Sequence, residues 1–178
     1  MCFWELYGYG EQKGFNTGYK TRIRKRWYIT PSLWVPDGFA LRQVGNYPKI
    51  VLNETGASST DTIHRIRFKE GVNRNMAAIS FLNSLSFAFS EITGRSYGGG
   101  VMTFEPTEIE EIQIPILTDL DIDFDQIDAL IRKRKIEEVL DIVDEALLIR
   151  HHGFSKNEVD SLRAIWWKLS QRRINRRK

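Results

Sequence analysis

The amino-acid sequence predicts an α+β fold: a mixed or antiparallel sheet with one packed helix, followed by a helical C-terminal subdomain. Three observations carry this. Up to Pro115, short β-like runs are separated by Gly, Pro, Asn and Asp. Among them, the stretch from Met76 to about Glu91 and just beyond spaces its apolar residues three or four apart. After Pro115 the helical period holds throughout. The change of character there divides the chain into an α/β domain over residues 1–115 and a helical subdomain over residues 116–178.

In chain order, the expected strands are Trp27–Thr30, Phe39–Gln43, Lys49–Leu52, Thr62–Phe68, Val101–Phe104 and Glu111–Ile114. The one early helix carries Ile79, Leu82, Leu85, Phe89 and Ile92 on a single buried stripe. Gly94 to Pro106 reads as a glycine hairpin leading into a short apolar strand, with Gly98-Gly99-Gly100 at its turn. Three glycines permit either a positive φ or a close approach of backbone to a partner. Beyond Pro115, Asp125 is placed to cap a helix carrying Ile127, Leu130 and Ile131, and a second helix carries Val139, Leu140, Val143, Leu147 and Leu148. Ser155-x-x-Glu158 is a capping box that opens a third helix, with Val159, Leu162, Ile165, Trp166 and Leu169 on one face. Adjacent Trp166 and Trp167 point about 100° apart, one suited to the core and the other to a partner.

The chain is 178 residues long, enough to bury a core of its own. Its single cysteine, Cys2, excludes an internal disulfide framework and cysteine-based zinc sites, and fits a reducing cytoplasm. No apolar run approaches the about 18 residues of a membrane span, so a soluble cytoplasmic protein without a membrane partner is expected. Charge is unevenly spread. Residues 1–104 hold 13 Lys/Arg against 7 Asp/Glu, residues 105–149 hold 4 against 14, and residues 150–178 hold 9 against 2. The basic ends point to a polyanionic partner, and the acidic middle is expected on the far face or against the tail.

Catalytic signatures are absent from the pattern. Gly94–Gly100 lacks the Lys-Ser/Thr pair of a phosphate loop, and Gly8-Tyr-Gly10 lacks the strand and helix of a dinucleotide site. Asp119, Asp121, Asp123 and Asp125 alternate as in a calcium loop, but Phe124 and Leu130 stand where glycine and glutamate are required. Acidity at a helix N-terminus accounts for them. His151 and His152 have no triad or metal-ligand spacing. Asp61 and Glu70 match a Mg²⁺ nuclease poorly.

Cations interleaved with aromatics are the stronger signal. Tyr19 to Tyr28 packs five cations and three aromatics into ten positions. In an extended strand Lys20, Arg22, Arg24 and Arg26 share one face, with Lys25 opposite. Such a face neutralises phosphates and, through arginine, reads guanine; the alternative is a solvated edge strand whose charges discourage aggregation.

The same residues carry a family resemblance. The ordered set Tyr19-Lys20-x-Arg22-x-Arg24-x-Arg26-Trp27-Tyr28, Pro48 to Asn53, Ser59 to His64, Leu82-Asn83-Ser84, Gly94 to Gly100, Glu105-Pro106-x-Glu108 and Ile114-Pro115 resembles the C-terminal, target-recognition part of bacterial restriction–modification N6-adenine DNA methyltransferases. The likeness runs from about Glu5 to Pro115, and Leu162-Arg163-x-Ile165-Trp166 with the arginine-rich finish is similar to the helical end of the same enzymes.

The resemblance implies sequence-specific recognition of double-stranded DNA for adenine methylation, performed by a catalytic domain in cis or in trans. That domain, with its S-adenosylmethionine loop and Asn/Asp-Pro-Pro-Tyr/Phe motif, has no counterpart here, since Asn46-Tyr47-Pro48 is no substitute. The isolated chain is therefore expected to hold no cofactor and to be non-catalytic, an excised fragment or a separately encoded specificity piece of a methyltransferase. Arg22, Arg24, Lys25 and Arg26, with Lys20, are the phosphate and base candidates, and Tyr19 and Tyr97 stack or hydrogen-bond. Thr60, Asp61, Thr62 and His64 read base edges, unless Asp61 only caps a turn and His64 only packs. Arg95 and the backbone of Gly98, Gly99 and Gly100 approach the sugar-phosphate. Two other readings stay open: a restriction endonuclease fragment, and an interaction module that docks through its helical tail.

Overall fold

The computed structural model describes residues 3–30, 33–117 and 121–176. Cys2 and Asp119 lie outside them. The chain divides into two compact units, with the boundary between Val35 and Pro36.

The first unit contains α1 (Phe3–Gln12) and the single turn α2 (Tyr19–Arg22). Aromatic packing holds it together. The Tyr7 ring lies 5.7 Å from Trp27 and 5.1 Å from Tyr28, and Phe3 meets Tyr28 edge-on at 5.3 Å. Gly10 is buried beneath the Trp27 ring, which occupies the place of a Cβ.

Two expectations fail here for one reason. Neither Tyr19–Arg26 nor Trp27–Thr30 is extended. Gly18 O accepts the Thr21 and Arg22 amides at 3.0 and 2.8 Å, and the Thr21 hydroxyl donates to Phe15 O at 2.9 Å. Local bonds thus wind the run into a turn. Trp27 and Tyr28 are drawn onto α1, and the described residues of this unit include no strand for the backbone to pair with.

The second unit contains β1 (Gly38–Leu41), β2 (Gln43–Val44), β3 (Ile50–Leu52), β4 (Ile63–Ile66), α3 (Arg74–Ser80), α4 (Ser84–Thr93), β5 (Arg95–Ser96), β6 (Met102–Thr103), α5 (Pro106–Glu110), α6 (Phe124–Arg132), α7 (Ile136–Val143) and α8 (Lys156–Ile174). The strands form two antiparallel sheets, in the orders β3-β1-β4 and β2-β6-β5. Phe39 faces Val51 on one side and Arg65 on the other, and Met102 faces Val44 and Ser96. The fold is α+β with antiparallel sheets and C-terminal helices, as expected.

Several elements differ from expectation. The helix over Met76–Glu91 is two helices, because Asn83 ends one and caps the next. Its Oδ1 accepts the Ser86 amide at 2.9 Å, and its Nδ2 donates to Ser80 O at 2.6 Å. Glu111–Ile114 forms no strand. Pro106 and the Glu105/Glu108 capping box start α5, whose last turn takes in the amides of Glu111 and Ile112. Asp123 rather than Asp125 caps α6, accepting the Asp125 amide at 3.0 Å. After α7, Asp144–His151 is wound as a π-helix. The Ser155/Glu158 box opens α8 as expected, with Ser155 N–H donating to Glu158 at 2.8 Å.

The main core runs across Pro115. Ile79, Leu82 and Phe87 from before it pack with Ile127, Val139, Leu140, Val143, Leu147, Leu148, Val159 and Trp166 from after it. Phe87 is fully buried between the rings of Tyr47 and Trp166, 5.3 and 5.1 Å away. Trp167 is 53% exposed. A smaller core of Val44, Phe81, Met102, Phe104 and Ile112 lies under the second sheet. The acidic middle does pack against the tail. Arg163 of α8 reaches Asp141 at 2.5 Å and the buried Asp144 at 2.9 Å.

Candidate nucleic-acid interface

In the first unit, α2 and the turns after it leave Lys20, Arg22, Lys25 and Arg26 exposed, with Arg24 half-buried and donating to Trp27 O at 3.3 Å. Among the described residues, no carboxylate pairs with any of these five. A shallow concavity of about 530 Å³ is lined by Trp4, Tyr7, Arg22, Arg24, Lys25 and Arg26. Tyr19 stands 72% exposed on α2. Tyr7 donates to Glu11 at 2.6 Å, which raises its phenol pKa above the ordinary value. Many cations of the second unit are neutralised by contrast. Arg42 pairs with Glu105, Arg132 with Asp128, Lys135 with Glu138 and Lys156 with Asp160, at 2.5, 2.6, 2.8 and 3.1 Å.

In the second unit, Thr60, Asp61 and Thr62 form an exposed turn before β4, with the two threonine hydroxyls 3.0 Å apart. His64 is different. It is half-buried in β4, and its Nε2 lies 2.9 Å from Phe104 O. A carbonyl only accepts, so that nitrogen carries the proton and the ring ties β4 to the end of β6.

The hairpin forms as expected, with β5 and β6 joined through the Gly98–Gly100 turn and Tyr97 N–H donating to Val101 O at 2.8 Å. Arg95 and Tyr97 are exposed on it. Gly99 and Gly100 have φ of +82° and +78°. Gly98 faces open space, but a Cβ on Gly100 would sit 2.9 Å from the Cα of Ile174. The close approach that Gly100 permits is that of the chain's own α8. Gly99→Ala is therefore expected to lose about 1 kcal/mol or more of stability through backbone strain alone. Chemical denaturation measures this, and an unchanged midpoint would refute it.

Arg95 donates its Nε to Glu108 at 2.5 Å and leaves both terminal nitrogens without a hydrogen bond among the described residues. Glu108 also accepts the Glu105 amide at 2.7 Å. That backbone bond first, and then Arg95, holds its carboxyl below the ordinary glutamate range. The guanidinium is thus braced through its Nε, and its two terminal nitrogens form a fork without a hydrogen bond among the described residues. The capping spacing Glu105-Pro106-x-Glu108 was the available sequence signal for this brace; the link to Arg95 across 13 positions had none.

The candidate residues therefore fall into two sets. The Tyr19–Arg26 set sits on the first unit, while the Thr60–His64 turn and the hairpin share the second, linked through the His64–Phe104 bond. Among the described residues no group of three or more His, Cys, Asp or Glu is arranged to hold a metal. No helix among them is long and apolar enough to cross a membrane.

A protein-family model described as Type II methyltransferase M.Eco57I, C-terminal domain, matches residues 6–148. No curated protein and no solved structure matches the chain.

Proposed function

Since the chain belongs to the M.Eco57I C-terminal-domain family of type II methyltransferases, we propose that it is the part that recognises double-stranded DNA for N6-adenine methylation. Membership supports a role in a type II methyltransferase, and in this reading the chain works with a methyltransferase catalytic domain. The observation that carries DNA recognition is the cluster of Lys20, Arg22, Lys25 and Arg26, exposed and without a carboxylate partner among the described residues, with Arg22, Lys25 and Arg26 set among aromatic rings. Cations without internal partners contribute fully to counterion release when they meet phosphates. Exposed Tyr19 and Trp4 add π-faces beside them.

Phosphate contacts set register, while base edges carry the sequence information. In this reading the braced Arg95 supplies the second kind of contact, through a free fork that matches guanine O6 and N7. Thr60, Asp61 and Thr62 add short hydrogen-bonding groups on an exposed turn. Extrusion of the target base and methyl transfer belong to the catalytic partner and its S-adenosylmethionine.

The test is fluorescence anisotropy of a labelled mixed-sequence duplex titrated with the chain over a range of salt. Binding that weakens steeply with salt is expected, with no effect of added S-adenosylmethionine and no heat when that cofactor is titrated alone. Absence of duplex binding at low salt would overturn the reading. Micromolar cofactor binding would overturn the assignment of S-adenosylmethionine to the partner.

A further inference from the structure

Arg173, on the last turn of α8, and Glu91 of α4 form a buried ion pair that plays no part in the DNA contacts proposed so far. Their side chains are 4% and 2% exposed. The contact is two-pronged, with Nη2 to Oε1 at 2.7 Å and Nε to Oε2 at 3.0 Å. The other terminal nitrogen, Nη1, donates to Gly45 O at 2.7 Å and also to Gly100 O. One guanidinium thereby joins four pieces of chain: α4, the residue after β2, the turn of the glycine hairpin and α8.

The neighbouring geometry agrees. Ile174, next to Arg173, is the residue whose backbone takes the space beside Gly100. The positive φ of Gly100 belongs to the turn that presents its carbonyl to Nη1. Arginine suits this place because its planar fork engages a carboxylate on one edge and carbonyls on another, while lysine offers a single point of attachment. Burying such a pair gives little net stability relative to an apolar replacement, since desolvation offsets the attraction. What it does supply is one permitted geometry. Arg173 also lies beyond residue 148, where the family match ends.

We propose that Arg173, held by Glu91, is a positioning residue for DNA recognition: it fixes the hairpin that presents Arg95 and Tyr97. This rests on the reading of that hairpin as a DNA-contacting element.

The experiment uses the full chain with Arg173→Lys, the double variant Arg173→Met with Glu91→Met, and the direct-contact variant Arg95→Ala with Tyr97→Ala. The methionine pair leaves no unpaired buried charge, so it keeps the test available if the lysine variant does not fold. Amide hydrogen exchange and affinity for a labelled mixed-sequence duplex are measured on each. Loss of the charged hydrogen bonds is expected to speed exchange of the Tyr97 amide about tenfold while α7 keeps its protection. Duplex affinity should fall to the level of the direct-contact variant. Unchanged exchange at Tyr97 overturns the proposal. So does faster exchange with undiminished affinity in the Arg173 variants when the direct-contact variant has lost affinity. If the direct-contact variant binds like wild type, the DNA reading of the hairpin itself fails, and the positioning role with it.

Discussion

Replacing Arg22, Lys25 and Arg26 together with alanine is expected to reduce the slope of log affinity against log salt by about 3, one for each phosphate neutralised. Affinity at low salt falls accordingly. Thermal stability should hardly move, because all three side chains are exposed and none is ion-paired among the described residues. A control variant, Arg132→Ala with Asp128→Ala, removes a cation that already has a carboxylate 2.6 Å away. Its slope should equal that of wild type. Salt titrations of duplex binding measure both, and an unchanged slope in the triple variant would take the cluster off the DNA surface.

Asp144→Ala is expected to destabilise the second unit by about 3 kcal/mol. At the size of this chain that lowers the melting temperature by roughly 6–12 °C. Asp144 is buried and accepts the Ser84 amide at 2.8 Å, the Ser84 hydroxyl at 2.5 Å and Arg163 at 2.9 Å. Alanine leaves three donors without their acceptor in a largely dry site. Asp141 still holds Arg163, so the loss is less than for an isolated buried pair. Asp144→Asn keeps an acceptor for Ser84 and should fall between alanine and wild type. A melting temperature for Asp144→Ala within about 2 °C of wild type would show that water replaces these bonds without cost.

The C-terminal helices were legible because their signals are local. The spacing of Val139, Leu140 and Val143 marks their buried face, and the Ser155/Glu158 box marks a start within four residues. The strands at Phe39, Lys49 and Thr62 were legible in place but form shorter ladders, since their length depends on the partner strand. α1 was missed. Phe3–Gln12 holds two glycines and no clear stripe, and it is set by Trp27 and Tyr28 folding onto it from fifteen or more positions away. The same packing overrode the alternation of Lys20, Arg22, Arg24 and Arg26, which expresses a strand only where another strand is present to pair with.

From the sequence alone came the α+β class, the uneven charge and an ordered set of motifs sufficient to reach the methyltransferase family, because all three are properties of order and composition along the chain. Only the tertiary structure decided which cations remain free and which glycine is crowded. Arg95 turned out to be braced by Glu108, Arg173 to be enclosed by Glu91 and two carbonyls, and Gly100 to lie against Ile174. Neutralisation and close approach depend on distances of a few ångströms between residues as many as 128 positions apart. Those distances exist only once the core around Phe87 and Trp166 has closed.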